Sequence, residues 1–436
     1  MTKRALFVRE FSPQKTGRLG LHFPMGSALS GSFFLSLGQV VFAFSGYLVN
    51  VGLARILGPD VYGQYGVTIS VLIWLEILLS VGLATATTKM AAELPESAKT
   101  IVRLTLKYTV YCSLILLFLT LFMAGPIAGW LSDDQLSVYL RIAAVDLLFY
   151  GILKVLMAVY NGIRRYAKTS LIIIVYAISK AGLIVGLAAG GFGIKGALVG
   201  NFIATVFGLI IGFWFMKQLE ERPVDRERFY SALKISLPST IWAICIILLM
   251  STDLWVAKAI IGGETIGYYV AAAALAKLVY FLSTGIRMIV LPEISAHIVK
   301  SGYGKAKNSM VRMTLFSLPV ILGFILLLQF FSDQIVQIVY SKAYSPAAPI
   351  LRVMLLAYFA VTFCEFFCHA LTAVGKAWSA ANVLVVLSLI SVPANIVLVK
   401  KIGITGAVYG FGTLSGIGAI ISCIVLFHTF RIEEKE

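Results

Sequence analysis

Apolar runs of about twenty residues or more recur along almost the whole chain, and they constrain its fold more than any other feature. Twelve can be counted, at roughly 28–57, 62–88, 104–130, 137–160, 168–189, 194–216, 236–258, 265–291, 312–332, 349–374, 378–399 and 404–429. About twenty apolar residues in a helix cross the hydrocarbon core of a bilayer. A soluble domain carries charge on about a quarter of its residues. Here 13% are charged and 59% are hydrophobic, so the apolar surface needs lipid as its solvent. Lipid cannot hydrogen-bond the backbone, so spanning segments are helices or closed barrels. The ten-residue alternation of barrel strands does not appear. The expected fold class is an all-α polytopic membrane protein with twelve transmembrane helices.

The chain also repeats itself. Ala54-Arg55-Ile56-Leu57-Gly58-Pro59-Asp60-Val61-Tyr62-Gly63-Gln64-Tyr65 is matched by Ala257-Lys258-Ala259-Ile260-Ile261-Gly262-Gly263-Glu264-Thr265-Ile266-Gly267-Tyr268-Tyr269. Gly58, Gly63 and Tyr65 fall on Gly262, Gly267 and Tyr269 at a common offset of 204. Phe192-Gly193-Ile194-Lys195-Gly196 pairs likewise with Ile402-Gly403-Ile404-Thr405-Gly406 at 210. Six spans per copy is an even number, so two six-helix lobes are expected, related by a pseudo-two-fold axis along the membrane normal. The expected division is a cytoplasmic arm at 1–27, an N-lobe at 28–217, a polar linker at 218–233, a C-lobe at 234–430 and a tail at 431–436. The two Gly–Tyr turns sit at the outer end of the first hairpin of each lobe, where an outer gate would close. Their glycines read either as hinges or as plain turn residues that tolerate positive φ.

Basic residues set the orientation. Of 36 Lys and Arg residues, 24 fall in the arm, the tail and one set of loops, 8 fall in the other loops, and 4 lie within the runs. Both termini are therefore expected in the cytoplasm, with the protein in the cytoplasmic (inner) membrane. The net charge of +16 then reflects loops facing an anionic leaflet, and no nucleic-acid partner is expected. Membrane lipids are. Cys112, Cys245, Cys364, Cys368 and Cys423 lie inside apolar runs as small hydrophobes. The basic N-terminal residues lack a secretory signal's apolar core and cleavage site.

Ionisable residues within spans cost roughly 2.5–3.5 kcal/mol each at mid-membrane on insertion scales and are functional candidates. Lys154, Lys180, Lys277 and Arg287 are the cations, suited to an anionic headgroup entering from the cytoplasm. Glu76, Asp146, Asp253 and Glu365 are the acids, candidates for coupling a proton or Na⁺ or for pairing with the cations. Structural pairing competes directly with substrate binding. Lys154 and Glu365 occupy equivalent positions at offset 211 and could pair across the lobes, and Arg287 reads best as snorkelling to the interface. Asp146, Tyr150 and Lys154 share one drifting helix face.

Other motifs fail their context. Gly191-x-Gly193-x-x-Gly196 follows no strand, and Gly304-Lys305 lacks a phosphate-binding loop. Neither dinucleotide binding nor ATP hydrolysis is expected. Cys364, Glu365, Cys368 and His369 form a metal-like cluster better read as packing, so no metal and no cofactor beyond H⁺ or Na⁺ are expected. The tryptophans mostly lie towards helix ends, as interfacial belts do.

The segment Leu53–Gly66 resembles the first outer loop of Wzx-like polysaccharide-biosynthesis flippases, members of the multidrug/oligosaccharidyl-lipid/polysaccharide (MOP) exporter superfamily. Asp253-Leu254 with Gly267-Tyr268-Tyr269-x2-Ala272 resembles their helix 7–8 region. The resemblance implies two six-helix lobes around a cavity open alternately to either side. It also implies flipping of a prenyl-diphosphate-linked oligosaccharide to the outer leaflet, with that lipid-linked glycan as substrate and a polysaccharide polymerase and glycosyltransferases as pathway partners.

The alternative within the superfamily is a cation-coupled (H⁺ or Na⁺) drug or metabolite antiporter of the MATE type, which would lean on Asp253. A major-facilitator porter shares the repeat symmetry but not the loop at Glu93–Lys99. A membrane glycosyltransferase or polymerase needs a large catalytic outer loop. The longest here is about 17 residues, near 333–348, so no enzymatic activity is expected.

Overall fold

A computed structural model describes residues 25–434; most of the arm expected at 1–27 and the last two residues of the tail lie outside the described residues. These residues form α1 (Met25–Glu93), α2 (Ala98–Trp130), α3 (Gln135–Gly162), α4 (Tyr166–Leu187), α5 (Gly193–Met216) and α6 (Arg226–Ile260). There follow α7 (Glu264–Ser301), α8 (Tyr303–Phe330), the short α9 (Ser332–Val339), α10 (Ala347–Ala373), α11 (Ala377–Ile402) and α12 (Ile404–Glu433). No strand occurs among the described residues, and ten helical stretches are long and apolar enough to cross a membrane.

Two of those ten are of double length, Phe33–Glu93 and Tyr166–Met216, and both break at glycine. In α1 the break is Gly58, at φ 74° and ψ 170°, a conformation that needs glycine, followed by Pro59 without an amide hydrogen. The Tyr62 hydroxyl donates to Asn50 Oδ1 at 2.9 Å. Twelve residues of straight helix would separate those groups by about 18 Å, so the arms 25–57 and 59–93 fold back on each other. Between α4 and α5 the chain makes a π turn at Ala188–Phe192, with Gly191 and Gly193 at positive φ.

The internal repeat is written into the backbone. Gly193 has φ 55° and ψ −139°, and its counterpart Gly403 has φ 66° and ψ −145°. At the end of α3, Arg164 is left-handed (φ 60°), as is Gly375 (φ 78°) at offset 211. The capping bonds repeat as well. Arg164 N–H donates to Asn161 O and Arg165 N–H to Tyr160 O; Gly375 N–H donates to Thr372 O and Lys376 N–H to Leu371 O. Both ends are Schellman-type caps. The first carries arginine where the second has the preferred glycine.

Helices α1 to α5 pack among themselves, α6 to α12 do likewise, and the two lobes meet chiefly where α1 lies against α6 and α7. At the end that carries the Gly58 turn, a single apolar core runs through both lobes, including Leu53, Tyr62, Leu136, Val256, Tyr269 and Tyr344. At the opposite end of the N-lobe a separate core forms around Met90, Ile101, Tyr160 and Tyr176. Phe229 and Ala232, in the first turns of α6, belong to that second core. Helix α6 therefore starts at 226, within the stretch expected as linker. It begins in the N-lobe, passes Pro238, and enters the shared core from Trp242 onward. The polar residues before it are also held: Glu221 pairs with Lys99 at 2.9 Å and with Arg103, and Lys99 N–H donates to Glu220 O at 3.0 Å.

Candidate functional site

Two adjoining cavities lie inside the molecule, with Phe42 of α1 in the wall of both. The first, of about 500 Å³, is walled by N-lobe helices and lined by Lys89, Tyr150, Lys154, Asn161 and Tyr176 among others. The second, of about 330 Å³, sits on the seam between the lobes. Tyr47, Asn50 and Tyr65 from α1 face Asp253 of α6 and Tyr269 and Lys277 of α7 across it.

Charge in the N-lobe is concentrated at the first cavity. Lys154 Nζ lies 5.0 Å from the centroid of the Tyr150 ring, and Lys180 Nζ lies 5.4 Å from that of Tyr176 while donating to its hydroxyl at 3.3 Å. Cations over aromatic faces are stabilised by the ring quadrupole. Glu76 and Asp146 interact with each other, Glu76 interacts with both lysines, and Asp146 interacts with Lys180. Asn201 Nδ2 donates to Asp146 Oδ2 at 2.7 Å. The shared helix face of Asp146, Tyr150 and Lys154 is thus one wall of a four-charge cluster spanning α1, α3 and α4.

At the seam, Asp253 is buried and accepts hydrogen bonds from the Tyr269 hydroxyl and from Leu254 N–H, the latter at 2.8 Å. Lys277 interacts with Asp253. Two of the four cations expected to line a cavity therefore do so, Lys154 in the first and Lys277 in the second, and Lys180 stands behind Tyr176.

Arg287 is different. It is 4% exposed, which is incompatible with snorkelling, and it forms an ion pair with Glu365 of α10. It also donates to Tyr280 O at 2.9 Å and to Thr284 Oγ1 at 2.8 Å, and stacks 3.8 Å from the Tyr280 ring centroid. The pairing expected between Lys154 and Glu365 does not form. Lys154 faces the N-lobe interior from α3, whereas α10 packs on α7 of its own lobe and meets Arg287 there. His369 Nε2 lies 4.0 Å from Glu365 Oε1 and 5.1 Å, ring to ring, from Trp242. Among the described residues no group of three or more His, Cys, Asp or Glu is placed to hold a metal.

The Gly58 end is closed by contacts between the lobes. Gly63 and Gly267 meet: a methyl on Gly63 would lie 2.8 Å from Gly267 N, and one on Gly267 would run into the Pro59 carbonyl. Both are close-approach glycines, whereas Gly58 and Gly262 are left-handed turn residues with open surroundings. Around this contact, Lys258 pairs with Asp133 at 2.6 Å, and Gln64 donates to the same carboxylate at 2.9 Å. Arg55 donates to Val339 O at 2.8 Å and to Ile338 O, and Tyr344 to Ala54 O at 2.9 Å. Trp255 donates to Ser70 Oγ at 2.7 Å and packs edge-on to Trp74. The stretch near 333–348, expected as a loop, is thus ordered into α9 and a 3₁₀ turn at Lys342–Tyr344 that cover this end. Arg55 and Lys258 read from the sequence as loop charges; their partners Val339, Ile338 and Asp133 come from distant segments, so spacing carried no signal for them.

A family model described as "Polysaccharide biosynthesis protein" matches residues 52–349, more than half of the chain. The chain belongs to that family. No curated protein sequence matches it. Among solved structures, an inward-facing multidrug resistance MATE family transporter of the MOP superfamily superposes with TM-score 0.77 at 16% identity, covering 93% of this chain and 99% of that one. An outward-facing one gives 0.69 at 16% identity, over 94% and 96%. A MOP superfamily transporter from Pyrococcus furiosus, described as having a binding pocket of reverse polarity, gives 0.70 at 15% identity, over 94% and 96%. This polysaccharide biosynthesis protein thus has a two-lobe MATE-like fold, built of helices long and apolar enough to cross a membrane many times.

Proposed function

We propose that the chain flips a prenyl-diphosphate-linked oligosaccharide from the cytoplasmic to the outer leaflet, by alternating access between its lobes, with both termini in the cytoplasm and twelve crossings of the inner membrane. The observation that carries this is a pair of adjoining cavities, each with lysine in its wall, inside a chain of a polysaccharide-biosynthesis family. Lys154 and Lys277 line the two cavities with Lys180 behind Tyr176, so a diphosphate would meet cations on entry, and aromatic rings beside them offer faces to sugars. The shared core and the Gly63–Gly267 contact at the Gly58 end, assigned outward by the charge count, support an inward-facing state. The MATE-type antiporter reading rests on the fold, because Asp253, its best acid, already has Tyr269 and Lys277 as partners. Glu76, Asp146 and Asp253 remain the candidates for coupling H⁺ or Na⁺.

The test is deletion of the gene. The expected result is a lipid-linked glycan that accumulates on the cytoplasmic face and clears when the gene is restored. A glycan that reaches the outer leaflet at the normal rate in the deleted strain, with no second transporter of this family present, would overturn the proposal.

A further inference from the structure

Cations inside a membrane protein are costly unless a carboxylate balances them. Arg287 and Lys258 form direct ion pairs, with Glu365 and Asp133. Lys277 is balanced at longer range by Asp253, and Lys154 and Lys180 by Glu76 and Asp146. Lys89 is the exception. It lies in the wall of the N-lobe cavity, and among the described residues no carboxylate pairs with it. It is thus the surplus positive charge of that cavity.

The level at which Lys89 sits follows from its neighbours. Thr88 Oγ1 donates to Ala158 O at 3.1 Å, and a methyl on Gly162 would meet Thr88 O and Ala91. Lys89 is therefore level with 158–162 of α3, at the expected cytoplasmic end. Lys154 is four residues deeper on α3, about 6 Å along the axis. The wall between them includes Thr85, Gln39 and Asn161, and the Asn161 carboxamide makes no hydrogen bond among the described residues, with its Oδ1 buried.

We propose that Lys89 and Lys154 form a stepped seat for the diphosphate of the substrate inside the N-lobe, with Lys89 receiving the anion at the mouth and Lys154 holding it one turn deeper. This rests on the flippase reading and refines it. The charged group lodges to one side of the molecule, leaving the seam cavity at Tyr47, Tyr269 and Tyr280 for the glycan. Two ammonium groups a helical turn apart match a diphosphate, whose charge is spread over two phosphorus centres, and each acts as a point charge needing no fixed fork. Lys180 is positioned behind Tyr176 by the acid cluster and does not contact the anion.

The test is binding of farnesyl diphosphate, against farnesol as the uncharged control, to full-length protein in nanodiscs. The wild type is expected to bind the diphosphate more tightly than the alcohol. Lys89→Gln and Lys154→Gln are each expected to weaken diphosphate binding about tenfold or more while leaving farnesol binding unchanged. Lys89→Arg, which keeps the charge, is expected to restore it, and this separates loss of the ligand from loss of the fold. If both glutamine variants bind as the wild type does while Lys277→Gln does not, the anion sits at the seam. The seat is then overturned and the flippase reading stands. If the wild type shows no preference for the diphosphate, both fail.

Discussion

At the scale of single residues, the buried ion pair of Arg287 on α7 with Glu365 on α10 ties two helices of the C-lobe together. Glu76, Asp146, Lys154, Lys180, Asp253, Lys277, Arg287 and Glu365 are all visible as charges inside apolar runs. Their partners depend on helix rotation and on which helices are neighbours, and neither is written in spacing along one segment. Lys154 and Glu365 occupy equivalent repeat positions, yet a pseudo-two-fold places equivalent residues in separate lobes, each facing its own surroundings. Arg287 shows what this means energetically. Removing one member of a buried pair strands the other and costs about 3–5 kcal/mol, whereas replacing both is far milder. Arg287→Gln is expected to lower the thermal unfolding midpoint in detergent sharply, and Arg287→Gln/Glu365→Gln to recover most of the loss. Equal, additive losses in the single and double variants would show that the two side chains are not coupled.

At the scale of elements, the twelve apolar runs were legible because hydrophobic length is a composition signal. Their joints were less so. The runs at 28–57 and 62–88 are arms of one helix folded at Gly58, and those at 168–189 and 194–216 join through a π turn at Ala188–Phe192. The Gly58–Tyr65 stretch announced a turn; that its Gly63 would touch Gly267 of the other repeat required both lobes to be in place. Position separates the glycines. Gly58→Ala is a local strain of about 1–3 kcal/mol in a backbone region essentially confined to glycine. Gly267→Ala puts a methyl group into the Pro59 carbonyl and must part the lobes there. Spin labels at Asp60→Cys and Glu264→Cys, both exposed sites flanking the contact, report this directly. The distance between them is expected to lengthen in Gly267→Ala and to stay unchanged in Gly58→Ala. An unchanged distance in both would mean that the close approach does not hold this end shut. Helix α6 couples the two lobes. Its first turns belong to the N-lobe core and its later turns to the shared core, so motion between lobes must be absorbed within the helix near Pro238 rather than in the polar residues before it, which are pinned by Lys99 and Arg103.

At the scale of the whole molecule, duplication and membrane solvation were readable from repeats and runs, and the recurrence of left-handed residues at 164 and 375 and at 193 and 403 expresses the same duplication in backbone form. The cavities were not readable, since they are built from residues of several helices, and the closure of the Gly58 end depends on contacts between segments up to 290 residues apart. In the proposed function, cations inside the lobes carry an anionic lipid-linked glycan across the bilayer. The most direct test is reconstitution of the protein into vesicles with a fluorescent polyprenyl-diphosphate oligosaccharide, scoring the fraction that becomes accessible on the opposite leaflet. The wild type is expected to move it, and Lys89→Gln/Lys154→Gln to abolish movement while still folding and inserting, through loss of both ammonium groups in the N-lobe cavity wall. Full transport by that double variant would contradict that role.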